Sequence, residues 1–218
     1  MQTKVATKKL PVEPRVKDPE LARASLLTVA AEEFALRGFE GARLELIAQK
    51  VGITRAMIYY YFGGREGLYV AVLEDAYGAI WQAEHEIAWE GLDPEAALRA
   101  LVSFRVGYYI AHPTFVALVS IENQHKAQHL KRAKSVMSSA SLSLERTAAA
   151  LAKGQADGVF RRDIDVVDLY QIIVSLAFFN VANQHTFGAI FGRDASDAGR
   201  VRRFVADAVL RYVAADQS

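Results

Sequence analysis

The sequence predicts an all-α protein of about nine helices. Apolar residues recur with the 3.6-residue period of one-sided helices along most of the chain. Two Asp-Pro pairs, at Asp18-Pro19 and Asp93-Pro94, are strong helix starts, because Asp caps a helix N-terminus and Pro suits its first position. Strand signals are nearly absent, since no alternating runs are joined by Asn-Gly or Asp-Gly turns.

The composition excludes several classes of site. The 218 residues are 52% hydrophobic and 23% charged, as in an ordinary globular chain, and contain no Cys. A disulfide framework, a thiolate zinc site and a cysteine nucleophile are therefore excluded. The formal net charge is +1, so any surface for nucleic acid has to be local. We predict no cofactor and no catalytic residue, because the G-x-S-x-G, P-loop, G-x-G-x-x-G and H-E-x-x-H motifs are absent.

The first helix is predicted over residues 18–37. Its apolar positions lie on one face and include Leu26, Leu27 and Phe34. Arg37 and Gly38 end it, because a cation and a glycine are typical of helix C-termini.

A helix-turn-helix is predicted over residues 44–62, as two short helices at 44–51 and 55–62. Ala48 is small enough for the second helix to approach closely. Gly52 supplies the left-handed backbone conformation of the turn, and Thr54 is expected to cap the second helix. In such a motif the second helix enters the major groove of DNA by its N-terminal residues.

The exposed positions around this second helix are candidate DNA contacts. Arg55 and Met57 stand at its leading end, where they can reach base edges. The hydroxyls of Thr54 and of the three tyrosines Tyr59, Tyr60 and Tyr61 are expected at phosphate distance. The alternative is that the tyrosines are core residues, and one of the three is expected there. Arg65, which opens the next helix, is expected to hold a phosphate.

Six further helices are predicted, over 65–89, 93–111, 113–124, 130–155, 165–185 and 197–215. The stretch 169–192 carries no Asp, Glu, Lys or Arg and is long enough to span a bilayer. It contains Gln, Asn and His residues that are costly in hydrocarbon, so a buried helix is favoured. The N-terminus has no apolar segment typical of a secretory signal. We expect a cytoplasmic protein without a membrane span.

Residues 24–68 carry a pattern of apolar, glycine and polar positions that extends beyond the helix-turn-helix. Its positions are Leu26, Leu27, Ala30, Phe34, Gly38, Phe39, Leu44, Ile47, Ala48, Val51, Gly52, Ile53, Thr54, Ile58, Tyr59, Tyr61, Phe62, Arg65, Glu66, Gly67 and Leu68. In these residues and their spacing the segment resembles the tetracycline-repressor (TetR) family of bacterial transcriptional regulators. The resemblance implies a three-helix DNA-binding head, a long fourth helix, a helical body for ligand binding and dimerisation, and repression relieved by a small molecule. Ala42 stands where the family often has a phosphate-contacting Thr, so Arg43 is expected to replace that contact electrostatically.

The predicted organisation is a flexible basic arm (1–17), a helix-turn-helix head (18–69) and a body for effector binding and dimerisation (70–218). The arm carries five Lys or Arg against one Glu, two Pro and no apolar period. It either contacts DNA or is a solvated tail, and both interpretations stay open.

The body is expected to form a homodimer and to bind a small molecule. The expected dimer face is a four-helix arrangement of two helices per subunit. Its apolar positions are Ile172, Ile173, Leu176, Phe179, Val201, Phe204, Val205, Ala208, Val209 and Tyr212. The candidate ligand-binding residues are Trp81, Phe104, Tyr108, Asn123, His125, Phe178, Phe179 and Asn183.

Glu122, His125 and His129 share one face if the helix continues past residue 124, and they would then hold a divalent metal. A helix end or a solvated surface explains the same residues and is favoured, so no metal site is predicted.

Three functional hypotheses result. The first is a dimeric regulator, usually a repressor, that binds a pseudo-palindromic duplex operator and is released by a small effector. The second is the same DNA-binding role under the control of a protein partner or without a small effector. The third, a helical enzyme, is remote because the catalytic motifs are absent.

Overall fold

The computed structural model describes residues 19–89, 91–192 and 197–215. Within them the chain forms ten α-helices and one 3-10 helix, and no extended strand, which confirms the all-α prediction. The α-helices are α1 (Pro19–Gly41), α2 (Leu44–Val51), α3 (Arg55–Phe62), α4 (Arg65–His85), α5 (Pro94–Ala111), α6 (Pro113–Gln124), α7 (Lys134–Ala156), α8 (Val166–Ala182), α9 (Gln184–Phe191) and α10 (Ala198–Val213). The 3-10 helix, Leu130–Arg132, precedes α7. The basic arm and Asp18 lie outside the described residues.

Several predicted boundaries need correction. The first helix does not end at Gly38; its backbone breaks there, at φ 73°, and a last turn runs on to Gly41. The fourth helix ends at His85 instead of residue 89. The helix expected over 165–185 is two helices, α8 and α9, which meet at Asn183 with a bend of 66°.

The aspartates predicted to start helices cap the helix N-termini wherever the structure describes them. The Asp93 carboxylate accepts a hydrogen bond from the Ala96 backbone N–H at 2.7 Å. The Asp165 and Asp197 carboxylates make the same kind of capping bond at α8 and α10.

Two apolar cores hold the fold together. The first lies among α1 to α4 and includes Phe34, Ile47 and Ile58. The second lies in the body, among the C-terminal half of α4, the helices α5 to α8, and α10. Helix α4 contributes to both, with Leu68 buried in the first core and Ile80 in the second. It therefore joins the two packed regions.

No single helix among the described residues is long and apolar enough to cross a membrane. Helices α8 and α9 pass that test only when they are taken together across their bend.

Candidate nucleic-acid interface

The turn between α2 and α3 has the predicted helix-turn-helix geometry. Gly52 is left-handed, at φ 77° and ψ 28°. Its N–H and that of Ile53 bond back to carbonyls of Gln49 and Ala48, which closes the end of α2. Ile47, Ala48 and Ile58 are buried beneath the turn, so the two helices share one small core.

Helix α3 buries Ile58 fully and Met57 and Phe62 partly, and its other side chains are exposed. Ile58 is fully buried, whereas the side chain of Tyr60 is 83% exposed. Tyr59 and Tyr61 are exposed as well, so the expectation that one of the three tyrosines is in the core is wrong. The reason is the helical period, because Ile58 and Phe62, four residues apart, form the inward face of this short helix and leave the tyrosines between them outside it. The outward phenols are available for phosphate oxygens.

Arg55 lies at the leading end of α3 and is held by two neighbours. Its guanidinium is 2.5 Å from a Glu45 carboxylate oxygen of α2 and donates to the Tyr59 hydroxyl at 3.0 Å. The Arg55 side chain is half exposed. Met57, the other predicted base contact, is half-buried. Arg55 is therefore held in place at the leading end of α3, the position at which the sequence predicts a base contact.

Three further candidate DNA contacts lie around this helix. Thr54 is the N-cap residue of α3, but its hydroxyl makes no capping hydrogen bond, contrary to expectation. Arg43 is exposed at the start of α2. Arg65 donates to the carbonyl oxygens of Glu40 and Ala42, at 2.8 and 3.0 Å. Arg65 thus fastens the start of α4 to the end of α1, in addition to its predicted phosphate role.

The turn after α6 forms the junction between the two packed regions. Helix α6 ends at Gln124, and Lys126 and Ala127 are left-handed, so His125 and His129 do not continue its face. Glu122 is buried, and its Oε1 accepts hydrogen bonds from the backbone N–H groups of His129 and Leu130, each at 2.8 Å. The condition for the metal hypothesis therefore fails. Among the described residues no group of three or more His, Asp or Glu is arranged to hold a metal.

The histidines of this turn pack on aromatic rings of α1 and α4. The His129 ring lies 4.3 Å from the ring of Phe39 and 5.0 Å from that of Tyr69, centroid to centroid. His125 contacts Phe39 at 5.6 Å. This aromatic contact connects α6 of the body to the head.

A buried polar cluster lies in the body between α4, α5, α7 and α8. Arg105 is 3% exposed, and its guanidinium donates to the Glu84 carboxylate and to the Tyr170 hydroxyl. Burial acts to lower the pKa of Arg105, but Tyr170, Tyr109 and Glu84 outweigh it and raise that pKa. Arg105 is therefore a fixed positive charge inside an aromatic region.

The structure separates the predicted ligand residues. Trp81 lines a small cavity beside Glu84. Phe104, Tyr108 and Phe178 pack against the same body core. The others lie elsewhere: Asn123 is exposed, His125 is in the junction turn, and Phe179 and Asn183 stand at the bend between α8 and α9.

Sequence reasoning missed Arg105 and Glu84, although a signal was present. Arg105 follows Leu101 and Val102 at helical spacing and precedes Tyr109, so it lies in phase with the apolar stripe of α5. Glu84 stands four residues after the buried Ile80 in the same way. A charge on the buried face of a helix marks a functional or paired group.

The chain matches known regulators along most of its length. The family of bacterial regulatory proteins described as tetR matches residues 26–72. The family described as the tetracyclin repressor-like C-terminal domain matches residues 94–209, more than half of the chain. The HTH-type transcriptional repressor NicS of Pseudomonas putida is 34% identical over 200 residues, which cover 90% of this chain and 94% of that protein.

Solved structures share the fold. The transcriptional regulator SCO4942 of Streptomyces coelicolor aligns with a TM-score of 0.67 at 24% identity, over 88% of this chain and 98% of that one. The regulator FadR of Bacillus subtilis, solved in complex with stearoyl-CoA, aligns with a TM-score of 0.69 at 16% identity, over 87% and 98%. With the helix-turn-helix geometry and the matches across both regions, the chain belongs to the TetR family of bacterial transcriptional regulators.

Proposed function

We propose that this chain is a dimeric transcriptional repressor that binds a pseudo-palindromic DNA operator and is released by a small-molecule effector. The observation that carries the proposal is the outward face of α3, where Arg55 and Tyr60 stand exposed on a helix fixed by the buried Ile58. The similarity to NicS, named a repressor, favours repression over activation. Such a protein would act on chromosomal DNA in the cytoplasm.

We divide the chain into a head over 18–69 and a body over 70–218. The two apolar cores support this division, since the first is built mainly from α1 to α4 and the second mainly from the body helices. The head would read only a few base pairs, so useful specificity requires two heads on one operator.

The dimer face proposed here lies on α8 and α10. Val167, Phe179 and Phe204 are each about half exposed on these helices. A shallow groove of about 430 Å³ runs between them, lined by Ile172, Leu176 and Tyr212, among others. Three apolar residues of α10 and one of α8 that we expected on this face, Val201, Val205, Val209 and Ile173, are instead buried in the body core of their own chain.

Dimerisation is tested by Phe204→Asp, which puts a charge on the proposed face. We expect the wild-type protein to elute with twice the chain mass in light scattering and the variant with the mass of one chain. Leu36→Asp is the matched control, since Leu36 is an exposed apolar residue of α1, away from that face. A Phe204→Asp protein that stays dimeric would place the interface elsewhere.

DNA binding is tested by mobility shifts on the natural upstream region and on a random duplex of equal length. Tyr60→Ala is expected to weaken binding to both duplexes alike, since a phosphate contact carries no sequence information. Arg55→Ala is expected to cost about 1–3 kcal/mol on the operator only. Arg162→Ala, an exposed body residue, serves as the control. Equal losses on both duplexes for Arg55→Ala would refute its base-reading role.

Effector release is proposed to act through α4, because its ends lie in different cores. A ligand that binds one arrangement of the body more tightly than another shifts the population toward it. If that arrangement holds the two heads at a spacing that does not match the operator, DNA is released. The proposal predicts that effector and operator weaken one another's binding by the same factor.

A further inference from the structure

We propose that the buried pair of Arg105 and Glu84 is the polar anchor of the effector site, and that the site takes a small aromatic acid that also carries a hydrogen-bond donor. The inference rests on the proposed function, because it names the chemical class of the effector.

The anchor has unused hydrogen-bonding capacity. The Nε of Arg105 and the Oε1 of Glu84 are both buried and find no hydrogen-bond partner among the described residues. A buried polar atom without a partner destabilises the fold, so such a site gains when a ligand supplies the missing hydrogen bond. The Nε–H of Arg105 is a donor that lacks an acceptor, and the Oε1 of Glu84 is an acceptor that lacks a donor.

The charge of the cluster favours an anion. Arg146 of α7 donates to the Glu84 carbonyl oxygen at 3.1 Å and lies 2.6 Å from the His85 ring nitrogen. The cluster therefore holds two guanidinium groups against the single carboxylate of Glu84. A ligand carboxylate would balance the excess positive charge, and a cationic ligand would add to it.

The walls of the cluster favour a flat ring. The Tyr170 ring lies 5.3 Å from the Arg105 guanidinium carbon. The rings of Tyr77 and Trp81 are 5.6 Å apart, and those of Tyr109 and Phe178 are 5.7 Å apart. Rings at such separations pack directly on one another, so together they form an aromatic wall, and a planar ligand would lie against it by offset or edge contacts.

The cavity at this place is too small for such a ligand. Trp81, Glu84 and Arg146 line it together with His85 and Ser143, and its volume is about 10 Å³, which is room for one water. A ligand must therefore separate α4 from α7. Binding would select an open arrangement of the body, which is the displacement that the proposed release of DNA requires.

The test uses the tryptophan that lines the cavity. The chain has two Trp residues, so Trp89→Phe leaves Trp81 as the single reporter. We expect 4-hydroxybenzoate to change Trp81 emission saturably. Benzoate, phenol and 4-hydroxybenzylamine should bind at least about tenfold more weakly, because each lacks one partner for the anchor or carries the wrong charge. An uncharged or cationic probe that binds as well as the acid overturns the proposal, as does the absence of any change with 4-hydroxybenzoate.

Substitutions at Arg105 and Glu84 test whether the preference for 4-hydroxybenzoate depends on the anchor. Arg105→Gln alone leaves the Glu84 charge buried and unpaired, which destabilises the fold. The double variant Glu84→Gln/Arg105→Gln keeps the volume and removes both charges. Its preference for 4-hydroxybenzoate over phenol should fall to about one, with an unchanged circular dichroism spectrum. Arg161→Gln is the control: its Nε is also buried without a hydrogen bond, but it lies beside Tyr212 and 3.6 Å from an Asp163 carboxylate oxygen, away from the anchor. A preference that survives the double variant refutes the anchor.

Operator binding is measured separately, without any probe. If the protein binds its operator while none of the acids binds the body, the anchor is wrong and the proposed function stands. If the protein fails to bind operator DNA, the proposed function is wrong whatever the probes do.

Discussion

The Glu122 carboxylate is expected to be the main polar support of the head–body junction. It is 2% exposed. Its Oε1 accepts from two backbone N–H groups, and its Oε2 lies 2.9 Å from the His129 Nδ1. Glu122→Ala leaves these three groups without their acceptor. At about 1–3 kcal/mol for each unpaired group, and with partial relaxation, we expect a loss of about 3–5 kcal/mol in the free energy of unfolding.

Glu122→Gln separates hydrogen bonding from mere removal of the side chain. Its amide oxygen still accepts from the backbone of His129 and Leu130, and its NH₂ can donate to Nδ1 in the other His129 tautomer. We expect this variant to lose only about 1 kcal/mol. Both are measured by urea unfolding followed by far-UV circular dichroism, with Asn123→Ala as the exposed control on the same helix. Equal losses for the two Glu122 variants, or a loss below about 1 kcal/mol for Glu122→Ala, would refute the reasoning.

Two more substitutions test packing and burial. Gly67→Ala is expected to destabilise the fold by about 2–3 kcal/mol in urea unfolding, because its Cβ would lie 1.7 Å from the Phe62 carbonyl oxygen; a neutral effect would contradict the close approach of α3 to α4. Burial raises the pKa of Tyr77 to about 12 from its ordinary 10. The contribution of the Tyr77 phenol to the free energy of unfolding is therefore fully present below about pH 10. It falls by about 2–3 kcal/mol as the pH rises toward 12, because Tyr77 ionises first in the unfolded chain. Tyr77→Phe should flatten that part of the alkaline unfolding curve, and an unchanged slope would count against a buried neutral phenol.

Local signals in the sequence determined the two helices of the helix-turn-helix. The bounds 44–51 and 55–62 are confirmed by α2 and α3, because Gly52 and the paired apolar positions leave few alternatives. Long-range contacts were not predictable. The bonds from Arg65 to the end of α1 span more than twenty residues, and no pattern in either segment announces them.

The body was predicted as helices but not as a site. Aromatic residues at helical spacing are mostly core, so they do not say which of them surround a ligand. Glu122 was placed among possible metal ligands because its helix was extended past residue 124. The left-handed Lys126 and Ala127 end that helix, and neither residue type signals such a conformation.

Helix α4 connects the two sites proposed here. Arg65 at its start is bonded to the end of α1, and Glu84 near its end belongs to the anchor cluster. The two residues are nineteen positions apart, about 28 Å along a straight helix. A displacement at Glu84 reaches the head only if the helix between them moves as a rigid rod.

Gly78 tests the rigidity of α4, because it lies mid-helix and its position is open. It is exposed, and a Cβ added there meets nothing within 4 Å. Gly78→Ala is therefore expected to raise the free energy of unfolding by about 0.5–1 kcal/mol, since Ala restricts the unfolded chain and favours the helix. If α4 transmits as a rod, the ratio of operator affinities without and with effector stays the same or increases. A variant that is more stable, yet has lost its response to effector, would show that α4 works by bending at Gly78 and not as a rigid lever.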